Sequence, residues 1–473
     1  MIFPTIQFAV FFVAVFTASW LLMPRPALWK PFILAVSYVF YGYTDARFIL
    51  LLFGSTVFNQ VMAEVLHRLR DGRARDVATA VAVAGNLGAL AWFKYYNFFL
   101  SSVTELFDKV GLRAPLPLLQ VALPVGISFF TFQALSYVID VQRRAIEPAK
   151  PIDFAVYLAF FPHLVAGPIV RASEFIPQLR SPRDPRDIPA ARAFFLIVGG
   201  LVKKAVIADY LATHLVDGVF DNPGAHSAGQ VLMAIYGYAV QIFCDFSAYS
   251  EMAIGIALLL GFRFPENFNS PYSAVSLQDF WRRWHMSLSR WLRDYLYIPL
   301  GGNRGGELLT YRNLMLTMLL GGLWHGAAWN FVIWGGIHGA GLAVERAFAA
   351  RRQYLGKAPA RDTVLRRVAG RVATFHLVCL AWVFFRADGF GKAMEMFGRL
   401  FSFAPGGFVA ANVVLLVVVG ILIQYLPKDA TGRLQSGFAR LSPGAQGALL
   451  AAVLVAVSTF GNQGVAAFIY FQF

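Results

Sequence analysis

The stretch GGLWHGAAWNFVIWGGIHGAG, residues 321–341, decides how the chain is read. It is apolar, rich in glycine and tryptophan, and carries two histidines, His325 and His338. An imidazole inside so apolar a run is costly unless something satisfies or uses it. On one straight helix these two histidines lie about 220° around and roughly 20 Å along from each other. They cannot form a dyad unless the chain breaks at Gly335-Gly336, and straight-helix geometry denies them a shared site. Trp324, Trp329 and Trp334 spread around such a helix and form no stripe, and a helix apolar all round is buried among others. Gly322/Gly326 and Gly335/Gly339 are GxxxG pairs, which let neighbouring helices approach closely.

Just upstream lies DFWRRWHMSLSRWLRDYLYIPLGGN, residues 279–303. Placed on a helix over 279–295, Trp281, Trp284, Leu288, Trp291, Leu292 and Tyr295 fall within an arc of roughly 100°. Arg282, Arg283, Arg290 and Arg293 cluster opposite. The pattern predicts an amphipathic helix lying at a membrane surface, aromatic face down and arginines toward phosphates. His285 falls at the edge of the aromatic face, about 40° from Trp281, so it points inward or along the interface.

Outward from these motifs the whole chain is apolar. Of 473 residues, 58% are hydrophobic and 14% charged, against about 25% charged in soluble domains. This composition predicts an all-α polytopic membrane protein, read as one transmembrane domain over 1–473. Apolar segments lie near 31–44, 48–66, 77–100, 118–140, 152–170, 190–216, 228–262, 312–345, 372–386, 408–426 and 445–465. With the N-terminal one they number about eleven to twelve, each judged against the roughly 20 residues a helix needs to cross. The N-terminal stretch lacks a basic n-region and reads as a first transmembrane helix, not a signal peptide.

The net charge of +15 follows the positive-inside bias. The basic residues sit in short loops, and no soluble basic domain exists to hold a duplex, which excludes nucleic-acid binding. HRLRDGRAR (67–75) and the stretch 346–371, with eight basic residues and one aspartate, are expected to face the cytoplasm. So is 171–192, whose Pro, Arg and Asp content rules out a spanning helix. Cys244 and Cys379 have no metal or disulfide spacing and read as buried free thiols.

Among the other histidines, His67, His214, His226 and His376 read as loop, segment-end or interfacial residues. His163, between Pro162 and Pro168, either lines a cavity or bonds broken-helix backbone. In CDFSAYSEM, Asp245/Tyr249 and Ser247/Glu251 are i,i+4 pairs, read first as a structural hydrogen-bond network and second as a functional site. No HExxH, GxSxG or P-loop occurs, and no metal is expected. What remains is histidine chemistry. An imidazole in an apolar tunnel suits a general base that takes a proton from a hydroxyl attacking an acyl thioester. A proton-coupled transporter accommodates the same residues equally well.

The stretch FNSPYSAVSLQDFWRRWHMSLSRWLRDYLYIPLGGNR, followed by LLGGLWHGAAWNFVIWGGIHG, resembles the membrane-bound O-acyltransferase superfamily, and within it the alginate O-acetyltransferase branch. LPVGISFFTFQALSYVIDV, FFPHLVAGPIVR, GLVKKAVIAD, QIFCDFSAYSEMAIGIALLLGFRFPENF and FIYFQF agree with it. The resemblance implies a ring of tilted helices around a thin centre with a cross-membrane tunnel. It implies His325 as the catalytic base and His285 as the second active-site polar residue. His338 has no assigned role and is expected to pack or to line the tunnel. It further implies acetyl-CoA as donor on the cytoplasmic side and a cell-surface polysaccharide as final acceptor. A periplasmic or membrane-anchored partner and a bacterial inner-membrane location complete the expectation. Arg282, Arg283, Arg290, Lys203 and Lys204 are the candidates for attracting the donor's phosphates, and Asp294 and Asn303 for supporting His285. D-alanyl transfer to teichoic acids on the same fold is the alternative, mildly disfavoured by the preference for arginine over lysine, and a non-catalytic proton-coupled transporter is the third reading.

Overall fold

The computed structural model describes residues 1, 3–112, 122–165, 167–356 and 363–460. These residues form helices and connecting turns, with no strand among them. Helices satisfy their own backbone groups, which apolar surroundings demand. The terminal FIYFQF and residues 357–362 of the basic 346–371 stretch lie outside the described residues. The chain forms two compact units, Met1–Ala190 with Ala253–Pro265, and Ala191–Met252 with Glu266–Phe473.

In the first unit, helices Ile6–Leu22, Pro26–Gly42, Arg47–Arg68 and Arg73–Leu90 follow one another closely. The last runs through a π-turn, Ala91–Tyr95, into Tyr96–Lys109. Arg47–Arg68 and Arg73–Lys109 are long and apolar enough to cross a membrane. Between them the basic stretch 67–75 is a tight turn. Gly72 takes φ 142°, a conformation open to glycine, and Arg75 turns inward to Asp71 at 2.5 Å and the Gln142 carbonyl at 2.7 Å.

The apolar segment 152–170 is broken, as Pro162 and Pro168 predict, into Pro151–Ala159 and Phe161–Leu164. The Phe161 N–H donates to Ser37 Oγ at 3.2 Å instead of continuing the helix. The Tyr157 carbonyl thus freed lies 2.8 Å from His163 Nε2. This supports the backbone-bonding reading of His163, whose ring is buried among Phe160, Phe175 and Phe264. Over 171–189 the chain makes only one-turn helices, so this stretch does not span.

The second unit is built on Ala228–Leu259, a 32-residue helix. Its apolar window is 94% buried, so it is a core helix and not a lipid-facing one. Its last residues, from Ala253, belong to the first unit. Val364–Arg386 is also long and apolar enough to cross. Four helices meet that standard among the described residues, with Ile6–Leu22, Ala411–Tyr425 and Gly444–Val453 shorter. Fewer uninterrupted spans form than the apolar segments predict because segments such as 152–170 and 312–345 break at a proline-containing or extended link.

Segment 312–345 is one of these. It is a hairpin of helices Glu307–His325 and Trp329–Tyr354, joined by Gly326 and Ala328 in extended backbone. The break falls there and not at Gly335-Gly336. Gly335 is needed elsewhere: a Cβ on it would collide with the Met318 carbonyl, and one on Gly322 with the Phe331 carbonyl. Both glycines let the two helix backbones touch. At the open end of the hairpin Arg346 pairs with Glu307 at 2.9 Å.

The amphipathic surface helix expected over 279–295 does not form. The chain makes two short helices, Leu277–Trp281 and Met286–Leu292, then a π-turn, Arg293–Tyr297. His285 sits at the break with φ 42°. Trp284, Leu288, Trp291, Leu292 and Tyr295 are all buried within the protein. Their common face packs against protein helices, which helical periodicity alone cannot distinguish from lipid.

Candidate active site

All residues of the histidine site belong to the second unit. The left-handed backbone at His285 is a strained conformation for a residue with a Cβ. Asn267 holds it. Its backbone carbonyl accepts from Met286 N at 2.9 Å, and its Oδ1 accepts from Ser287 N at 3.1 Å and Ser287 Oγ at 2.9 Å. The same Oδ1 lies 3.2 Å from His285 Nδ1. Asn267 Nδ2 donates to Ser250 Oγ at 3.0 Å on the core helix. One side chain therefore caps the Met286–Leu292 helix and orients the imidazole. His285 Nε2 is buried with no protein partner among the described residues. Asp294 and Asn303, expected to support His285, are engaged elsewhere, with Arg293 at 2.6 Å and with Tyr297.

His325 ends its helix among Trp324, Trp334 and Phe385, at ring-centre distances of 5.1, 5.1 and 5.3 Å. It is 3% exposed. The His285 ring lies edge-on to Trp324 at 6.2 Å. The two histidines, 40 positions apart in sequence, thus flank one indole. Phe246 closes the other side of His285 at 4.7 Å. Stacked and edge-to-face rings of this kind lock each other's rotamers.

His338 is not remote. The turn at 326–328 folds it back, and its ring contacts Trp334 at 4.8 Å, Trp281 at 5.2 Å and Phe280 at 6.0 Å. Trp334 touches both His325 and His338. The straight-helix separation read from sequence fails because the helix does not continue through the link.

The basic candidates divide. Lys204 is 2% exposed and lies between Asp209 at 2.8 Å and Asp245 at 2.7 Å. Lys203 is bound to Glu251 and to Ser247 Oγ at 3.0 Å. Both are committed to carboxylates, so neither presents a free ammonium to a phosphate. The same contacts place Asp245 and Glu251 in ion pairs across Ala228–Leu259. A π-helical segment, Lys203–Ala208, brings the two lysines onto that helix. Arg283 is held by Asp279 at 2.8 Å. Arg282 is exposed, and Arg290 is partly so.

Comparison with known proteins gives this geometry its setting. Residues 33–369 match the family described as MBOAT, membrane-bound O-acyltransferase family. The chain belongs to the membrane-bound O-acyltransferase family. It is an acyltransferase and a multi-pass membrane protein. It is 43% identical over 406 residues to the probable alginate O-acetylase AlgI of Pseudomonas aeruginosa, covering 83% of this chain and 74% of that one. It is 37% identical over 436 residues to the peptidoglycan O-acetyltransferase of Helicobacter pylori, covering 86% and 76%. The teichoic acid D-alanyltransferase of Streptococcus thermophilus is more distant, at 28% over 325 residues, covering 62% and 75%. Asn267 is what sequence reasoning missed. Its one visible signal is an uncharged polar residue in ENFNSP, ahead of the tryptophan-rich motif.

Proposed function

We infer that this acyltransferase carries acetyl groups from acetyl-CoA on the cytoplasmic side of a bacterial inner membrane to a cell-surface polysaccharide such as alginate. The observation that carries the reading is the pair of buried histidines, His285 and His325, flanking Trp324. The relatives support the acyl group and the acceptor class. Those near 40% identity are named for O-acetylation of alginate or peptidoglycan, both glycans. The D-alanyl reading has only the more distant relatives behind it.

In this mechanism His325 takes the proton of the attacking hydroxyl as its oxygen bonds to the thioester carbonyl carbon. The carbon–sulfur bond then breaks, and the proton on His325 is available to the departing thiolate. His285, its Nδ1 side fixed by Asn267, directs Nε2 toward the reacting groups. Arg282 attracts the donor's phosphates at the cytoplasmic rim. The immediate acceptor is a sugar hydroxyl or the serine of a periplasmic or membrane-anchored partner that passes the acetyl group on. The test is His325→Ala at normal membrane abundance, with ester-linked acetate on extracellular polysaccharide as the readout. Loss of acetate is expected; acetate at the normal level overturns the reading.

A further inference from the structure

Trp281, Trp334 and His338 form a closed triangle of rings, with centres 4.8, 5.2 and 5.7 Å apart. His338 is 0% exposed and Trp334 1%. Among the described residues neither nitrogen of His338 has a hydrogen-bond partner, and neither does the buried indole N–H of Trp281 or Trp334. Buried polar atoms are almost always paired, so three such side chains in mutual contact mark a place built to meet another group. Their chemistry says which kind. Each indole is a donor only, and an uncharged imidazole offers one donor and one acceptor. Donors outnumber acceptors three to one. The complementary atom is an acceptor without protons of its own, as a carbonyl oxygen is.

The position says from which side that carbonyl comes. His338 lies on the Trp329–Tyr354 helix about 14 Å below its start, at 1.5 Å per residue. It stands between the His325 turn and the hairpin's open end at Arg346–Glu307, which continues into the basic stretch that the positive-inside bias assigns to the cytoplasm. The Leu277–Trp281 helix that supplies Trp281 and Phe280 is anchored to the same helix by Glu345. That carboxylate accepts from Leu277 N at 2.6 Å and Gln278 N at 3.1 Å. For a donor entering from that end, His338 is on the donor side of His325, and Trp334 touches both imidazoles.

We propose that His338, Trp281 and Trp334 form a donor-side subsite that holds the carbonyl oxygen of the acyl thioester, with the His338 N–H stabilising the oxyanion formed there. The inference rests on the reading of His325 as base toward a thioester. As the hydroxyl oxygen bonds to the carbonyl carbon and His325 takes its proton, the carbonyl electron pair moves onto the oxygen that His338 faces. It returns as the carbon–sulfur bond breaks and the thiolate leaves. The proton of His338 stays on the ring throughout. Preorganised donors at such an oxygen act on the transition state, so their loss appears in kcat.

The test compares His338→Gln with His338→Phe in purified protein. Glutamine keeps an N–H and loses the ring; phenylalanine keeps the ring and loses every donor. Glutamine is expected to hold kcat within about fivefold of the parent, and phenylalanine to lose about a hundredfold in kcat. A packing residue gives the opposite order, and phenylalanine outperforming glutamine overturns the proposal. Binding gives a second readout that requires no turnover. Acetyl-dethia-CoA keeps the carbonyl but cannot transfer, whereas CoA lacks the carbonyl. The parent and His325→Ala are expected to prefer the acetyl analogue to CoA, and His338→Phe to lose that preference while still binding CoA. A preference retained in His338→Phe overturns the subsite. If the parent transfers acetyl and His338→Phe does too, only the subsite falls. If the parent neither transfers acetyl nor prefers the analogue, the thioester reading itself falls and takes the subsite with it.

Discussion

His285 and His338 are both wholly buried and both packed edge-on to tryptophan, yet they are held in different ways. His285 is fixed through its backbone and one ring nitrogen by Asn267, which is itself tied to Ser250 on the core helix. Among the described residues His338 is held by rings alone. A hydrogen-bonded frame sets the tautomer and direction of one imidazole nitrogen. An aromatic cage sets only the plane of the ring. The first arrangement suits a group that must point at a defined atom, and the second a donor that meets an oxygen brought to it.

Several substitutions sharpen or break that contrast. The largest effect is expected from His285→Ala, which should lower acetyl transfer by about a thousandfold, within the range for a positioned acid–base residue. Transfer within tenfold of the parent would remove His285 from the mechanism. Next is Asn267→Ala, which leaves the ring in place but unaimed. Misplacement of a reacting group by an ångström costs about a hundredfold, so kcat should fall by that order while KM for acetyl-CoA changes little. An unchanged kcat would mean the rings alone suffice for both histidines. Gly335→Ala forces a methyl group onto the Met318 carbonyl and pushes the helix bearing His338 away from the one bearing His325. A loss of about 1–3 kcal/mol in stability is expected, read as a lower midpoint of thermal unfolding in detergent, with transfer falling in parallel. Lys204→Met is the control, because it touches neither histidine. It leaves Asp209 and Asp245 buried without their cation and should cost about 3–5 kcal/mol. Transfer per folded molecule should remain at the parent level, and a specific loss of donor affinity would restore Lys204 as a phosphate ligand.

Much of this was legible in the sequence, and the failures share one cause. Helical content and membrane character follow from the apolar segments, and the family resemblance of the two tryptophan-rich motifs points to His285 and His325, which the structure sets against one indole. What periodicity cannot see is where a helix stops without a proline. His285 breaks a helix through its own φ of 42°, stabilised by Asn267 from a segment 18 residues earlier. Gly326 and Ala328 turn the chain inside an apolar run that reads as continuous. Both breaks are decided by tertiary partners, and together they bring His338 near His325. Burial raised the same difficulty for charge. A lysine in GLVKKAVIAD looks like a rim cation until the π-turn presents it to Asp245.

The central claim is acyl transfer by His325 from a cytoplasmic thioester, and one measurement meets it directly. Purified protein is placed in sealed vesicles oriented so that acetyl-labelled CoA reaches only the face bearing the basic stretches, with a glycan acceptor on the other. The parent should move label onto the acceptor as ester while the CoA stays behind. His325→Ala should bind the donor and move none. Label crossing as intact acetyl-CoA, or esterification at the parent rate by His325→Ala, would contradict the account.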